Sequence, residues 1–131
     1  MKTLNELKEF FKMDRFVSYN GIEIIDCDGE RSLVKAAIED RALNAGDSVQ
    51  GGMLFTIADF AFAVLANCIH PVTVTSSATI TYLAPCRDTA FITASSQEIS
   101  RHRHNCVHEV TVCDDKGKAV CVAMMNGFIK E

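Results

Sequence analysis

Residues 48–68, SVQGGMLFTIADFAFAVLANC, constrain this chain most, because they are almost wholly apolar and yet contain a carboxylate. From Met53 to Ala66 the only polar side chains are those of Thr56 and Asp59, and a helix that is hydrophobic all round is a buried one. This run of roughly 14 residues is shorter than the roughly 20 that a membrane-spanning helix needs. The pattern therefore predicts a buried central helix. Asp59 is the first candidate for chemistry, since an unpaired buried carboxylate is costly.

The length and composition favour one domain over residues 1–131 and exclude several classes of partner. A net charge of −4 gives no general attraction to nucleic acid or to an anionic membrane. The chain shows no signal-peptide pattern, so we expect a soluble cytoplasmic protein. The six cysteines are scattered singly with no CxxC pair, which is not zinc spacing and favours reduced thiols over a secreted disulfide framework.

Local signals predict the first half of the chain. Residues 3–12 carry Thr3 and Glu6 at the spacing of a capping box, which opens a short amphipathic helix. The dipeptide Asp28-Gly29 separates two apolar runs and indicates a hairpin. Residues 40–50 lack periodicity and form a loop into the central helix, with Ser48 or Asp47 as candidate caps.

After Pro71 the pattern changes to strands. Residues 72–83, VTVTSSATITYL, are rich in β-branched side chains and predict a strand of about ten residues. Three further strands follow as a meander, separated by the basic turn at 101–105 and by a turn at 115–117. One antiparallel sheet of about six strands wrapped round one long helix is an α+β architecture, and nothing suggests a parallel sheet.

Several of these residues resemble one known family. They are Asn44, Gln50-Gly51-Gly52, Ala58-Asp59, the stretch TITYLAP at 79–85 and the hairpin at Gly117-Lys118. The pattern is similar to that of the hot-dog-fold acyl-CoA thioesterases, in particular the phenylacetate-pathway type. Members usually carry an Asn six residues before a His-Gly-Gly, and an acidic residue seven positions after the second Gly. The resemblance implies a hot-dog fold and hydrolysis of an acyl-CoA to CoA and a carboxylic acid.

The chemistry of a helix N-terminus supports the same assignment. Its backbone N–H groups are unpaired and carry a partial positive charge, and glycine lets a ligand approach them closely. A thioester carbonyl oxygen needs such donors as it becomes an oxyanion. We expect the Gly51 amide to supply one, with Gly52 allowing access. Asp59, in an apolar pocket, should have a raised pKa and act as general base or nucleophile.

The resemblance implies two further side chains and an oligomer. Asn44 would polarise the carbonyl or place the water. A strand hydroxyl that falls at Thr75 would hold the nucleophile, and Ser77, two residues on, is the nearest substitute. The family assembles its site across a dimer interface, with the loop from one subunit and the helix from the other. A homodimer or homotetramer that binds an acyl-CoA substrate is therefore expected.

Gln50 is the main departure from the family pattern, since it stands where the family usually has His. A Gln side chain donates a hydrogen bond but carries neither a proton nor a positive charge. If the His orients substrate, activity survives. If it stabilises the transition state, its loss costs about a hundredfold or more in rate. A non-catalytic acyl-CoA-binding or regulatory protein is accordingly the main rival; an acyl dehydratase and a purely structural oligomer rank lower.

The remaining candidates concern substrate binding. Phe55 and Phe62 are consistent with a small aromatic or short- to medium-chain acyl pocket, although core packing is the simpler reading. Arg101 and Arg103 would suit the phosphates of coenzyme A, against a solvated turn as the alternative. We expect no cofactor other than the coenzyme A of the substrate, and no metal, because His102, His104 and His108 alternate along a turn without a well-placed carboxylate. The alternative role for Asp59 is structural, as a carboxylate that caps a neighbouring loop or pairs with a buried arginine.

Overall fold

The long helix α3, Gly51–Ile69, lies against a six-stranded antiparallel sheet that wraps round it in the computed structural model, which describes residues 1–130. The elements in chain order are α1 (Leu4–Phe11), α2 (Arg15–Tyr19), β1 (Ile22–Cys27), β2 (Ser32–Ala37), a 3-10 turn (Asp40–Ala42), α3, β3 (Thr73–Tyr82), β4 (Phe91–His102), β5 (Asn105–Cys113) and β6 (Ala119–Ile129). The α+β architecture predicted from the sequence is confirmed. The helix α2 was missed, because five residues are too few to show a helical period.

The strand order in the sheet is β1-β2-β4-β5-β6-β3. All three predicted turns are present, with Gly29, Arg103 and Gly117 in the left-handed region at φ 89°, 57° and 78°. Strands β4, β5 and β6 form the predicted meander. Strand β3 pairs with β6 and lies at the edge of the sheet. Its outer backbone groups therefore have no strand neighbour among the described residues, a point that matters for the site below.

Helix α3 is buried over most of its circumference and forms the centre of the core. At 19 residues it is long and apolar enough to cross a membrane, so the length argument from the sequence was wrong; 67% of its apolar window is instead buried inside the protein. Its less buried side chains form one stripe at helical spacing, which comprises Gly52, Phe55, Thr56, Asp59 and Ala63. Helix α2 lies beside this stripe, so Asp59 is on the less buried face of α3, between α2 and the edge strand β3.

The cap of α3 differs from the prediction. The N-cap is Gln50, whose side-chain oxygen accepts a hydrogen bond from the Gly52 N–H, rather than Ser48 or Asp47. Asp47 has a left-handed backbone at φ 61° and Ser48 bonds Asn44, so both are used inside the loop. At α1 the predicted capping box of Thr3 and Glu6 is confirmed.

A β-bulge interrupts β3 between Thr75 and Ser77. A bulge inserts one extra residue and shifts the side-chain alternation that follows it. Ser77 consequently accepts a hydrogen bond from the Asn126 amide at 2.8 Å, on the face of the sheet away from α3. The expectation that Ser77 shares a face with Thr75 is therefore wrong.

Candidate active site

Asp59 and Thr75 meet directly. The Thr75 hydroxyl donates a hydrogen bond to the Asp59 carboxylate, with 2.6 Å between Oγ1 and Oδ1. Burial raises the pKa of Asp59; the Thr75 hydrogen bond opposes that shift, and the nearby charge of Asp14 adds to it. A carboxylate with one donor and partial burial is more basic than an exposed one, which suits a group that must take up a proton near neutral pH.

A cavity of about 270 Å³ opens beside Asp59. Its walls come from α2 and the exposed stripe of α3, and they are mainly aromatic and aliphatic. The lining residues are Asp14, Phe16, Val17, Phe55, Thr56, Asp59, Phe60 and Ala63. Phe55 thus lies where an acyl pocket was expected, and α2 supplies two lining residues that sequence periodicity did not reveal.

The N-terminus of α3 presents the Gly51 amide. This N–H has no hydrogen-bond partner among residues 1–130, whereas the neighbouring Gly52 N–H is taken by the Gln50 side chain. The Tyr82 hydroxyl donates to the Gly51 carbonyl at 3.0 Å, and a Cβ at position 51 would lie 3.2 Å from that hydroxyl oxygen. Glycine therefore lets the Tyr82 ring lie close against the first turn while the Gly51 donor stays available.

Asn44 organises the loop before α3. Its side-chain oxygen accepts from the N–H groups of Gly46 and Ser48 at 2.9 and 3.1 Å, an arrangement that folds the chain back on itself. The Asn44 amide nitrogen remains free to donate to a ligand, because no described residue accepts from it. Asn44, Gly51 and Tyr82 line one groove of about 440 Å³.

The two halves of the expected site lie apart in a single protomer. Asp59 follows Gly51 by eight residues, which is about 12 Å along a helix axis, and the two residues line different cavities. One thioester carbonyl cannot reach both groups from the same chain. The geometry of one protomer is therefore that of two half-sites, one around Asp59 and Thr75 and the other around Asn44 and Gly51.

Three other candidates lie outside both half-sites. Phe62 is 0% exposed and packs edge-on against the His108 ring at 4.8 Å between ring centres, so it belongs to the core and does not line the acyl cavity. Arg101 and Arg103 are exposed at the tip of the β4–β5 hairpin, where Arg101 Nε donates to the Arg103 carbonyl oxygen. Neither arginine lines the cavity of Asp59 or the groove of Asn44.

Comparisons with known proteins agree with this architecture. The family model of the thioesterase superfamily matches residues 46–121, which include the whole of α3 and both glycines at its start. The chain is 30% identical over 102 residues to the acyl-coenzyme A thioesterase PaaI of Escherichia coli K12, covering 78% of this chain and 73% of that protein.

Solved structures show the same fold. The structure of E. coli PaaI, from the phenylacetic acid degradation operon, superposes with a TM-score of 0.88 at 26% identity, covering 94% of this chain and 89% of that one. A hypothetical thioesterase from Streptococcus pneumoniae TIGR4, solved with coenzyme A, superposes with a TM-score of 0.84 at 23% identity, covering 94% and 96% of the two chains. The sheet wrapped round α3 and these matches together show that the chain belongs to the thioesterase superfamily, as a hot-dog-fold acyl-CoA thioesterase of the PaaI type.

Proposed function

We propose that this thioesterase hydrolyses a small aromatic or short- to medium-chain acyl-CoA, with Asp59 as its general base or nucleophile. The observation that carries the proposal is the Asp59 carboxylate, which receives one hydroxyl from Thr75 and faces a cavity lined by Phe16, Phe55 and Phe60. Its pKa is raised by burial. These rings form an apolar surface for the acyl group, and the carboxylate lies at its edge.

The reaction requires a donor for the carbonyl oxygen and an acceptor for a proton. The Gly51 N–H, at the positive end of α3, donates to the thioester oxygen as it gains charge. Asp59 takes a proton from water, which attacks the carbonyl carbon; the tetrahedral intermediate then expels the CoA thiolate and leaves the carboxylic acid. In the alternative route Asp59 attacks the carbon itself, and water hydrolyses the resulting anhydride. Thr75 holds the carboxylate in place for either route.

A homodimer would bring the two half-sites together. The roughly 12 Å that separates Gly51 from Asp59 in one chain requires the oxyanion donor and the base to come from different protomers. Strand β3 is an edge strand of ten residues, and an unpaired edge of this length is a template for pairing with a second copy. Tyr82 and Val74 on this strand are exposed apolar side chains that such a dimer would cover.

Gln50 would act as a positioning residue for the oxyanion donor. Its side-chain oxygen engages the Gly52 N–H, which fixes the first turn of α3 and leaves the Gly51 N–H directed to the ligand. Asn44 would add a second donor through its free amide nitrogen, since its oxygen is already held by Gly46 and Ser48. A neutral amide at position 50 therefore leaves the hydrogen-bonding part of the family's site in place without its positive charge.

Coenzyme A is the expected leaving group, and the cytoplasm is the expected compartment. The structural relative from S. pneumoniae was solved with coenzyme A, which supports a CoA ester as substrate. Arg101 and Arg103 are exposed cations that remain available for its phosphates. All six cysteines are free thiols, as a reducing compartment favours.

A panel of acyl-CoA esters tests this proposal. We expect thiol release, followed with a colorimetric thiol reagent, to be fastest for phenylacetyl-CoA and short- to medium-chain esters, and to fall for long-chain esters that exceed the cavity. Asp59→Asn should abolish release while binding persists. Tight binding of acyl-CoA by the native protein with no thiol release across the panel would contradict hydrolysis and favour the acyl-CoA-binding rival.

A further inference from the structure

A second group of chemically active side chains lies where the C-terminal end of α3 meets the sheet. It consists of His70, Glu98, Cys106 and His108, here called the His–Glu–Cys cluster, and each side chain offers one metal-ligating atom. These four atoms all lie within 4.8 Å of one another. Within residues 1–130 it is the one such group of three or more histidine, cysteine or acidic side chains.

The cluster is built by the sheet register and by the helix end. Glu98 on β4 is paired directly with His108 on β5, so both side chains emerge on one face of the sheet. Cys106 precedes His108 by two residues and shares that face. His70 is the C-cap of α3, where its backbone N–H bonds the Ala66 carbonyl. Three separate elements thus direct their ligands to one point.

Both imidazoles converge on one carboxylate oxygen. His70 Nε2 lies 2.5 Å, and His108 Nε2 3.1 Å, from Glu98 Oε2. In a tetrahedral zinc site the metal–nitrogen and metal–sulfur bonds of about 2.0–2.3 Å place ligand atoms roughly 3.5 Å apart. The cluster therefore needs side-chain shifts of about 1 Å to take a metal. Glu98, whose side chain is 24% exposed, has the space for such a shift.

The residues around the cluster hydrogen-bond one of its histidines, as the neighbours of metal-binding histidines ordinarily do. The Ser96 hydroxyl lies 2.9 Å from His108 Nδ1, and metal-binding histidines ordinarily use their second nitrogen in such a bond. The Ser32 hydroxyl in turn accepts from the Ser96 backbone N–H and donates to the Ala61 carbonyl. This chain of bonds fixes the His108 ring with Nε2 towards Glu98, the orientation that a ligand requires.

Gly127 makes room for the thiol. A Cβ at this position would lie 2.8 Å from Cys106 Sγ and 2.6 Å from the Phe62 ring, so no other residue fits without displacing one of them. Phe62 covers the far side of His108 as an apolar wall. The Glu98 side chain is 24% exposed and that of His70 7%, which leaves an entry path from solvent on one side only.

We propose that His70, Glu98, Cys106 and His108 form a binding site for zinc or a similar transition-metal dication. Two imidazoles, a thiolate and a carboxylate match the nitrogen, sulfur and oxygen ligands that zinc prefers, and four protein ligands leave no open position. The site is therefore structural. It would tie the end of α3 to β4 and β5, and it lies about 16 Å along α3 from Asp59, counted over eleven residues.

Cobalt(II) provides the direct test, because it replaces zinc in tetrahedral sites and reports its ligands in its absorption spectrum. Chelator-treated full-length protein titrated with cobalt chloride should show saturable visible d–d bands at one metal per chain, with a near-ultraviolet thiolate-to-cobalt charge-transfer band. Zinc chloride added afterwards should remove both. Equilibrium dialysis with zinc and elemental analysis should give the same stoichiometry.

Two cysteine variants make the test specific. Cys106→Ser should abolish the charge-transfer band and weaken cobalt binding by about tenfold or more. Cys113→Ser, on the same strand but outside the cluster, should leave the spectrum unchanged. His70→Ala, at the exposed side of the cluster, tests a second ligand and should also weaken binding.

Three outcomes would overturn the site. They are the absence of saturable cobalt binding, a charge-transfer band that survives Cys106→Ser, and d–d bands without any charge-transfer band. Asp59→Asn should bind cobalt as the native protein does, and a loss of binding in that variant would equally contradict a site separate from the hydrolytic one.

Discussion

Asp59 and Glu98 are two partly buried carboxylates with different hydrogen-bond surroundings. Asp59 receives one hydroxyl donor at 2.6 Å and otherwise faces an apolar cavity. One oxygen of Glu98, Oε2, lies 2.5 Å from His70 Nε2 and 3.1 Å from His108 Nε2. The two carboxylates differ in their partners, since Asp59 has a single hydroxyl and an apolar surround that raises its pKa, whereas Glu98 bridges two imidazole rings of the core. We therefore expect Asp59 to support catalysis at some cost in stability, and Glu98 to support stability without a role in hydrolysis.

The largest expected effect is that of Asp59→Asn on turnover. The amide keeps the shape and can still accept the Thr75 hydrogen bond, but it cannot take a proton, so kcat for the best acyl-CoA should fall by about 10²–10⁴-fold. Steady-state kinetics measures the fall, and circular dichroism checks that the fold is retained. Turnover within twofold of that of the native enzyme would show that Asp59 is a structural carboxylate without a catalytic role.

The next effect should appear in stability at Glu98. Glu98→Ala removes the partner of two buried imidazoles, and a buried polar group left without its hydrogen bond costs about 2 kcal/mol of unfolding free energy. Urea unfolding in the presence of a chelator measures this cost without any contribution from metal, and kcat should stay within about twofold of the native value. Glu109→Ala, an exposed acidic residue on β5, is the matched control and should change stability little. A large loss of kcat in Glu98→Ala with unchanged stability would contradict a purely stabilising role for Glu98.

Only one of these two carboxylates, Asp59, could be identified as a candidate from the sequence. Asp59 stands out because a single acid interrupts a long apolar run, and the fold followed from hydrophobic periods, turn residues and the family pattern. The His–Glu–Cys cluster has no such signal, because its members are separated by up to 38 positions (108 minus 70) and meet only through the sheet register. The histidines that the sequence brings close together, His102, His104 and His108, accordingly include only one member of the cluster, His108.

Two β-bulges change side-chain positions that regular alternation would give. The β4–β5 pairing shifts between Glu98 and Ser100, so a regular hairpin counted from the turn would have placed Ile99 opposite His108 instead of Glu98. The shift between Thr75 and Ser77 likewise turned Ser77 to the outer face. Sequence alternation cannot locate an inserted residue when the neighbouring side chains are all small and polar, as they are at Thr75, Ser76 and Ser77.

Thr75→Val should have a smaller effect on turnover than Asp59→Asn. The variant keeps the side-chain volume and removes the donor to Asp59, which should lower kcat by about tenfold, corresponding to about 1.4 kcal/mol. The Thr75 hydrogen bond lowers the pKa of Asp59, so the acid limb of the pH–rate profile should move to higher pH in the variant. Ser77→Ala is the matched control, since that hydroxyl lies beyond the bulge on the opposite face. An equal loss in both variants would contradict a specific role for Thr75.

The smallest effect should be the dependence of stability on pH at Asp59. Burial raises the folded-state pKa of Asp59 above its unfolded value, so the stabilising contribution of this group is fully present below the unfolded pKa and is lost as pH rises through the folded pKa. Asp59→Asn cannot ionise, and it should therefore be more stable than the native protein at pH 7. The difference in unfolding free energy should shrink as pH falls through the raised pKa towards the ordinary value of about 3.9. Urea unfolding of both proteins between pH 4 and 8 measures this convergence. A native protein more stable than Asp59→Asn at pH 7 would contradict a cost of burying the Asp59 carboxylate.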